Sequence, residues 1–326
     1  MTFDVGRLSK KQTHLLADFV ELCLVVRYDG LDEVSQARLE GLLKEVPVVP
    51  EEVDLDDDTE HAIDRKEAID KYVEDCWSQL EYRQAVFGHY YPFVVKGTVL
   101  QWRPGMKSER ECLYLFLLTC SRLRSFKKIR GYAQRAAKAF TAISHAALQA
   151  LVGPASTVRI FDVGSNDRRT HYGTNLRDAM KKLADDIGAH ARHDENIAQL
   201  PTSGDHGLDL VAVHHFGDGA TGALAVFGQC GAQEEGWIGK TLEAHPLNFK
   251  GLFSLLHEPS NVMFIPLSYR SSSGNWFVAA YTSGCLLLDR LRILKLLGDP
   301  ADTVAHVRPQ YVPVLQEVIK VATIPA

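Results

Sequence analysis

Residues 204–240, GDHGLDLVAVHHFGDGATGALAVFGQCGAQEEGWIGK, constrain the fold more than any other stretch. LDLVAVHHF (208–216) and GALAVFGQC (222–230) are apolar, β-prone runs on either side of GDGATG, the pattern of an antiparallel hairpin. Side chains alternate faces along a strand, so Gln229 and Gly231 share one face and Cys230 takes the other. Gly204 and Gly207 allow a sharp bend into the first strand, which Asp209 opens. Paired in this way, the strands bring Asp209 and Gln229 toward one another, and Lys240 follows on the next element.

The flanking sequence supplies helices. Residues 8–27, 31–45 and 60–87 have helical apolar spacing, and 109–123 is apolar nearly all round, which predicts a buried helix. The acidic segment 48–60 reads as a solvated loop, and 93–102 as a strand. A basic helix is expected over 127–151. Beyond Gly153-Pro154 the texture becomes α/β: a strand at 156–163, a helix at 174–188 stopped by Gly188, a polar linker at 190–205, and then the hairpin. A helical stretch at 247–257, strands at 261–270 and 276–282, a helix at 286–298 and a short C-terminal helix over 313–323 complete the reading. The expected architecture is α/β, with a mixed central sheet flanked by helices behind a mainly helical N-terminal domain. The domains are read as 1–125 and 126–326.

Bulk properties exclude several classes. No apolar run reaches the roughly 18–20 residues that span a bilayer, and the N-terminus has no signal-peptide core, so a cytoplasmic protein without a membrane partner is expected. The six cysteines form no C-x-x-C pair and no zinc-ligand spacing, and read as buried free thiols. A P-loop, a G-x-S-x-G elbow and an H-E-x-x-H pair are all missing. The net charge of −5 does not advertise a nucleic-acid binder, so any such surface must be local.

An acid and a polar group at the ends of paired strands, with a lysine nearby, are the parts that hold Mg²⁺ against a phosphodiester. Asp209 offers a carboxylate oxygen, Gln229 an amide oxygen and Cys230 its backbone carbonyl. Asp205 is the alternative acid. The segment GDHGLD, followed by a strand ending in GQC, resembles the Mrr-type branch of the PD-(D/E)XK nuclease superfamily. The resemblance covers roughly 127–270 and extends to a group of bacterial proteins that look like defence or restriction nucleases. It implies a restriction-endonuclease-like core, Mg²⁺ or Mn²⁺ as cofactor, catalytic roles for Asp209, Gln229 and Lys240, and metal ligation by Asp209, Gln229 and Cys230. Two positions depart from the family pattern. Gly231 stands where the lysine usually does, with Lys240 as the replacement, and Phe140-Thr141 stands where the leading helix often carries a glutamate, with His145 one turn on.

Lys127, Lys128, Arg130, Arg135, Arg168 and Arg169 are candidate phosphate contacts, weighed against a solvated helix face and an N-terminal capping loop. Trp237 and Trp276 can stack on bases or pack on the sheet. His214-His215 read as satisfied strand histidines, and Asp289-Arg290 with Arg292 as an ion pair. The function implied is hydrolysis of nucleic acid, DNA above all, in an anti-phage defence or restriction system. A partner ATPase or sensor, or self-association, would restrain it. The alternative is a catalytically degenerate subunit that keeps the fold as a binding platform.

Overall fold

The apolar run near the N-terminus forms helix α1 (Thr13–Val25) in the computed structural model, which describes residues 3–6, 12–45, 60–103, 105, 107–234, 236–298 and 305–319. The loop expected at 48–60 lies, except for Glu60, outside the described residues, as does the end of the expected C-terminal helix. Among the described residues no helix is long and apolar enough to cross a membrane. The chain forms two compact units. One is drawn from residues 1–137, 266–277 and 299–326, the other from 138–265 and 278–298. The sequence reading divides the chain at 125/126. Contacts instead draw the line inside a helix and return two later segments to the first unit.

In the first unit, α1 is buried on every side from His14 to Val25. Around it lie α2 (Gln36–Glu45), α3 (Glu60–Phe87) and α4 (Glu109–Ser121), with the helix Arg308–Gln316 against α4. Ser108 and Glu111 close the start of α4 with a reciprocal capping box. This unit is not purely helical. Strand β1 (Glu33–Ser35) pairs with β3 (Val99–Trp102), which pairs with β2 (Phe93–Lys96), so the helix expected from residue 31 begins only at Gln36. A charged network holds the helices together. Arg83 of α3 reaches Asp18 at 2.7 Å and Glu21 at 2.9 Å, and donates to the His14 carbonyl at 2.7 Å. The hydroxyls of Tyr91 and Tyr114 donate to Glu21 at 2.9 and 2.8 Å. All of these side chains are sealed from solvent, where a charge is tolerated only when paired and hydrogen-bonded.

The second unit carries the long helix α5 (Tyr132–Val152) from Lys138 onward, then strand β4 (Thr157–Ile160), helix α6 (Asn166–His171) and helix α7 (Leu176–Asp186). Gly188, with φ of +64°, ends the last of these as expected. The polar linker is not featureless, since it folds as β5 (Ala191–Arg192) and α8 (Asp194–Gln199). The hairpin forms as read, with β6 (Leu210–His214) antiparallel to β7 (Leu224–Cys230). Strand β8 (Phe253–Ser254) pairs with β5, and β9 (Ser260–Phe264) runs parallel to β7. Strand β10 (Leu286–Leu288) runs parallel to β9. The sheet order is β4-β6-β7-β9-β10, a mixed sheet flanked by helices.

Three readings fail in this region. The stretch 247–257 forms only a single 3₁₀ turn, Pro246–Phe249, begun by a proline and followed by β8. Residues 276–282 contain a 3₁₀ turn, Ala279–Thr282, and no strand. The helix expected over 286–298 opens as β10. Asp289 then caps helix α9 (Arg290–Leu297) by accepting from the Arg292 N–H at 3.1 Å. A run of three leucines is read equally well as strand or helix by periodicity, and parallel pairing with β9 decides it.

The sheet has two distinct faces. Val211, Val213, Ala225 and Phe227 pack on α7 and on Phe249 and Phe253. Cys230 points the other way, where its thiol meets Thr141 and Ser144 of α5, and burial pushes that thiol well above its usual pKa. In the first unit, replacing Arg83 with methionine removes the cation between two buried carboxylates. The expected loss is ~3–5 kcal/mol in urea unfolding, and a change too small to resolve would contradict this role.

Candidate metal centre

The site forms where the ladder between β6 and β7 ends. The last paired residues are Leu210 and Gly228. Asp209, one step earlier, keeps its backbone tied on both sides: its N–H donates to the Gly228 carbonyl at 2.9 Å, and its carbonyl accepts from Phe161 N–H at 2.6 Å. Its side chain then replaces the next ladder bond, with Oδ2 accepting from the Cys230 N–H at 2.7 Å. In extended backbone a residue's N–H and C=O point to the same edge, so the Cys230 carbonyl faces the Asp209 side. The expectation that Asp209 and Gln229 share one end of the hairpin is met.

The backbone bond from Phe161 brings a second acid to the first. Asp162 lies just past the end of β4, and its own N–H approaches the Asp209 carbonyl at 3.3 Å. A third, Asp205, sits in the glycine-rich loop before β6, with Oδ1 accepting from Gly207 N–H at 3.0 Å. Gly207, at φ of +77°, passes so close to Glu243 that a Cβ there would lie 2.9 Å from the glutamate's own Cβ. His206 also has a positive φ, +58°, a conformation a non-glycine residue seldom takes. Asp162, Asp205 and Asp209 each offer an oxygen within 4.8 Å of the other two. Sequence reading weighed Asp205 and Asp209 but missed Asp162, which closes the FD pair of the preceding strand.

Gln229 completes the group. It is 6% exposed, and its Nε2 donates to Glu243 Oε2 at 3.1 Å. A carboxylate can only accept, so this contact fixes the amide with its oxygen turned away from Glu243. That Oε1 is buried and accepts no hydrogen bond from any described residue. Glu243 was not foreseen either. Its role depends on a turn, from Lys240 to Glu243, that carries no strong sequence signal. Asp205, Asp209, Gln229, Cys230, Lys240 and Glu243 all line one cleft of about 750 Å³.

The electrostatics of this cleft centre on Asp209. Burial pushes its carboxyl up to about 7, and the charges of Asp205 and Asp162 push the same way. The Cys230 N–H and the positive charge of Lys240 oppose them. An ionised Asp209 is therefore costly in the bare protein, and added positive charge relieves the cost.

The remaining candidates divide. Gly231 has no room for the usual lysine, because a Cβ there would lie 2.4 Å from Met263 Cε and 2.8 Å from Trp237 Cβ. Trp237 is buried in that packing, which removes it as a base-stacking surface. Thr141 reaches the Cys230 thiol on the opposite face from Gln229, and His145 bonds the Val158 carbonyl at 3.1 Å, so neither faces the acids. Arg168 is fully buried and bonds backbone carbonyls, which corrects its reading as a phosphate contact. Arg169 is exposed. Ser165 accepts from Arg168 N–H at 2.9 Å, the capping reading of that loop. Lys127, Lys128, Arg130 and Arg135 belong to the first unit. There Lys127 pairs with Asp4 and Arg135 with Glu317, both at 2.6 Å. Arg270 lies over the Trp276 ring at 4.3 Å. His214 contacts Ser156 at 3.4 Å and His215 contacts Asp186 at 3.2 Å, in keeping with structural roles.

Two outcomes follow for the cation-free protein. The Asp209 carboxyl is raised from 3.8 to about 7, so its contribution to stability is full at low pH and is lost as pH rises through that window. Asp209→Asn should therefore melt higher than the parent at pH 8 in chelator, by up to ~3 kcal/mol in stability, with the gain shrinking toward pH 4. No gain at pH 8 would contradict it. Gly231→Ala should lose ~1–3 kcal/mol by overpacking in denaturant titration; unchanged stability would mean that Trp237 and Met263 yield freely.

The chain matches no protein-family model, no curated protein and no solved structure, so the chemistry of the site rests on its own geometry.

Proposed function

We propose that this chain is a divalent-cation-dependent nuclease with a restriction-endonuclease-like core, acting on DNA. The observation that carries the reading is the buried Gln229 Oε1, which accepts no hydrogen bond from the described residues, on a residue that lines the same cleft as Asp205 and Asp209, two of the three clustered carboxylates. A buried acceptor without a donor costs free energy, and a cation bound among carboxylates removes that cost. Strand order lends further support. Helix α5, then β4, β6 and β7 in antiparallel succession, then β9 parallel to β7, follows in part the order helix, strand, Asp209 strand, Gln229 strand, helix, strand on which the family resemblance rests; the helix expected between β7 and β9 is replaced by 3₁₀ turns and β8.

Asp162, Asp205 and Asp209, with the Gln229 amide oxygen and the Cys230 carbonyl, would hold Mg²⁺ or Mn²⁺; hard cations take such all-oxygen sets. When bound, the cation polarises a phosphoryl oxygen and makes a coordinated water more acidic. The chain's own groups do the positioning. The Cys230 N–H holds the Asp209 carboxylate, and Glu243 holds the Gln229 amide in one orientation. Lys240 brings an ammonium group into an otherwise acidic cleft, where it draws in the phosphate and steadies the charge that develops on it. A defence or restriction role under the control of an ATPase, a sensor or self-association is part of the same proposal and rests on the resemblance.

The second reading, an inactive nucleic-acid- or protein-binding platform, draws on Gly231, whose surroundings are packed against any side chain. Incubating purified chain with plasmid DNA and Mg²⁺ or Mn²⁺ separates the two. The nuclease reading expects cleavage that chelator stops, that Asp209→Ala abolishes and that Lys240→Ala slows by about 100-fold or more. DNA binding without cleavage by parent and variant alike, in the presence of a partner, would favour the platform.

A further inference from the structure

Arg168 is a buried charged residue of the second unit whose guanidinium bonds backbone carbonyls and no described carboxylate. Its side chain is wholly buried, with the guanidinium 4.8 Å from the Phe161 ring centre. Nη1 donates to two backbone carbonyls, that of Phe161 at 3.2 Å and that of Gly204 at 2.7 Å. Each carbonyl lies one residue before a member of the acid cluster, Asp162 in one case and Asp205 in the other. The two segments are some forty residues apart in sequence, and this one group joins them. Nε and Nη2 are also buried and donate to no described residue. A neutral side chain would fill the same volume without burying a cation or two idle donors, so packing alone does not account for an arginine here. Burial lowers its basicity, while the charges of Asp205 and Asp162 act to hold its proton in place.

We propose that Arg168 is a positioning residue for the cation site: it sets the spacing of Asp162 and Asp205 by tying their loops together, and it holds a positive charge behind them. This rests on the reading of the acid cluster as a cation site. Lysine keeps the charge but lacks the planar array of donors that spans two carbonyls, so Arg168→Lys separates the tie from the charge.

The test is Mn²⁺ binding to the full chain, read from the free-ion signal in electron paramagnetic resonance, well below the melting temperature. Arg168→Lys, folded by circular dichroism, should bind Mn²⁺ at least tenfold more weakly than the parent, and Asp209→Asn should bind more weakly still. A purely structural arginine would lower the melting temperature and leave the affinity of the folded protein alone. Folded Arg168→Lys with an affinity within twofold of the parent therefore overturns the proposal but leaves the cation site standing. A parent chain that binds no Mn²⁺ overturns both. Should Arg168→Lys not fold, hydrogen exchange on the parent decides: Mn²⁺ should protect residues 166–172, which carry Arg168 but none of the three acids, together with 203–209. Protection confined to 203–209 would overturn the proposal.

Discussion

The Asp209 carboxylate accepts the N–H of Cys230 at 2.7 Å, at the point where two antiparallel strands stop pairing backbone to backbone. This exchange of a ladder bond for a side-chain bond has three consequences. It fixes an acid at a strand end instead of leaving it to solvent, and it turns the Cys230 carbonyl toward the same place. It also leaves the Asp209 backbone carbonyl to accept from Phe161, which carries Asp162 to its side. The cluster of three carboxylates is thus a product of strand register, and a one-residue slip of β6 would dissolve it.

Buried charge is handled in opposite ways in the two units. In the first, Arg83 meets Asp18 and Glu21, and two tyrosine hydroxyls donate one to each oxygen of Glu21, so the charges answer one another. In the second, three carboxylates crowd together, an amide oxygen has no donor among the described residues, and Asp209 is driven up to about 7. The first arrangement serves stability. The second costs stability in the bare protein, which is the usual mark of a site shaped for something it binds.

Much of this was legible in the sequence because period-2 alternation and glycine placement are local signals. The hairpin, its facing residues and the place of Asp209 and Gln229 at one end of it came from residues 204–230 alone. What escaped reading depends on tertiary contact. Asp162 joins the site only because β4 lies beside β6, and Glu243 only because a short turn after Lys240 folds back to the Gln229 amide. Arg168 looked like a surface cation in a polar loop, and its burial follows from carbonyls supplied by two separate segments. The leucines at 286–288 had no period long enough to tell a strand from a helix. The expected glutamate of the leading helix has no counterpart at the site, since α5 packs behind the sheet, against the Cys230 thiol.

Gly231 and Lys240 together set the polarity of the site. The sheet position after Cys230 is closed to a side chain by Trp237 and Met263, and the ammonium group of the cleft comes from the next turn. Whether the carboxylates and the amide converge on one ion is the central point, and anomalous scattering from a crystal soaked in Mn²⁺ reads it most directly. The expected result is a peak bonded to Asp209, with the Gln229 Oε1 among its ligands at about 2.1–2.2 Å. A peak held elsewhere, or a cleft that stays without Mn²⁺ while Gln229 Oε1 finds a protein donor, would contradict it.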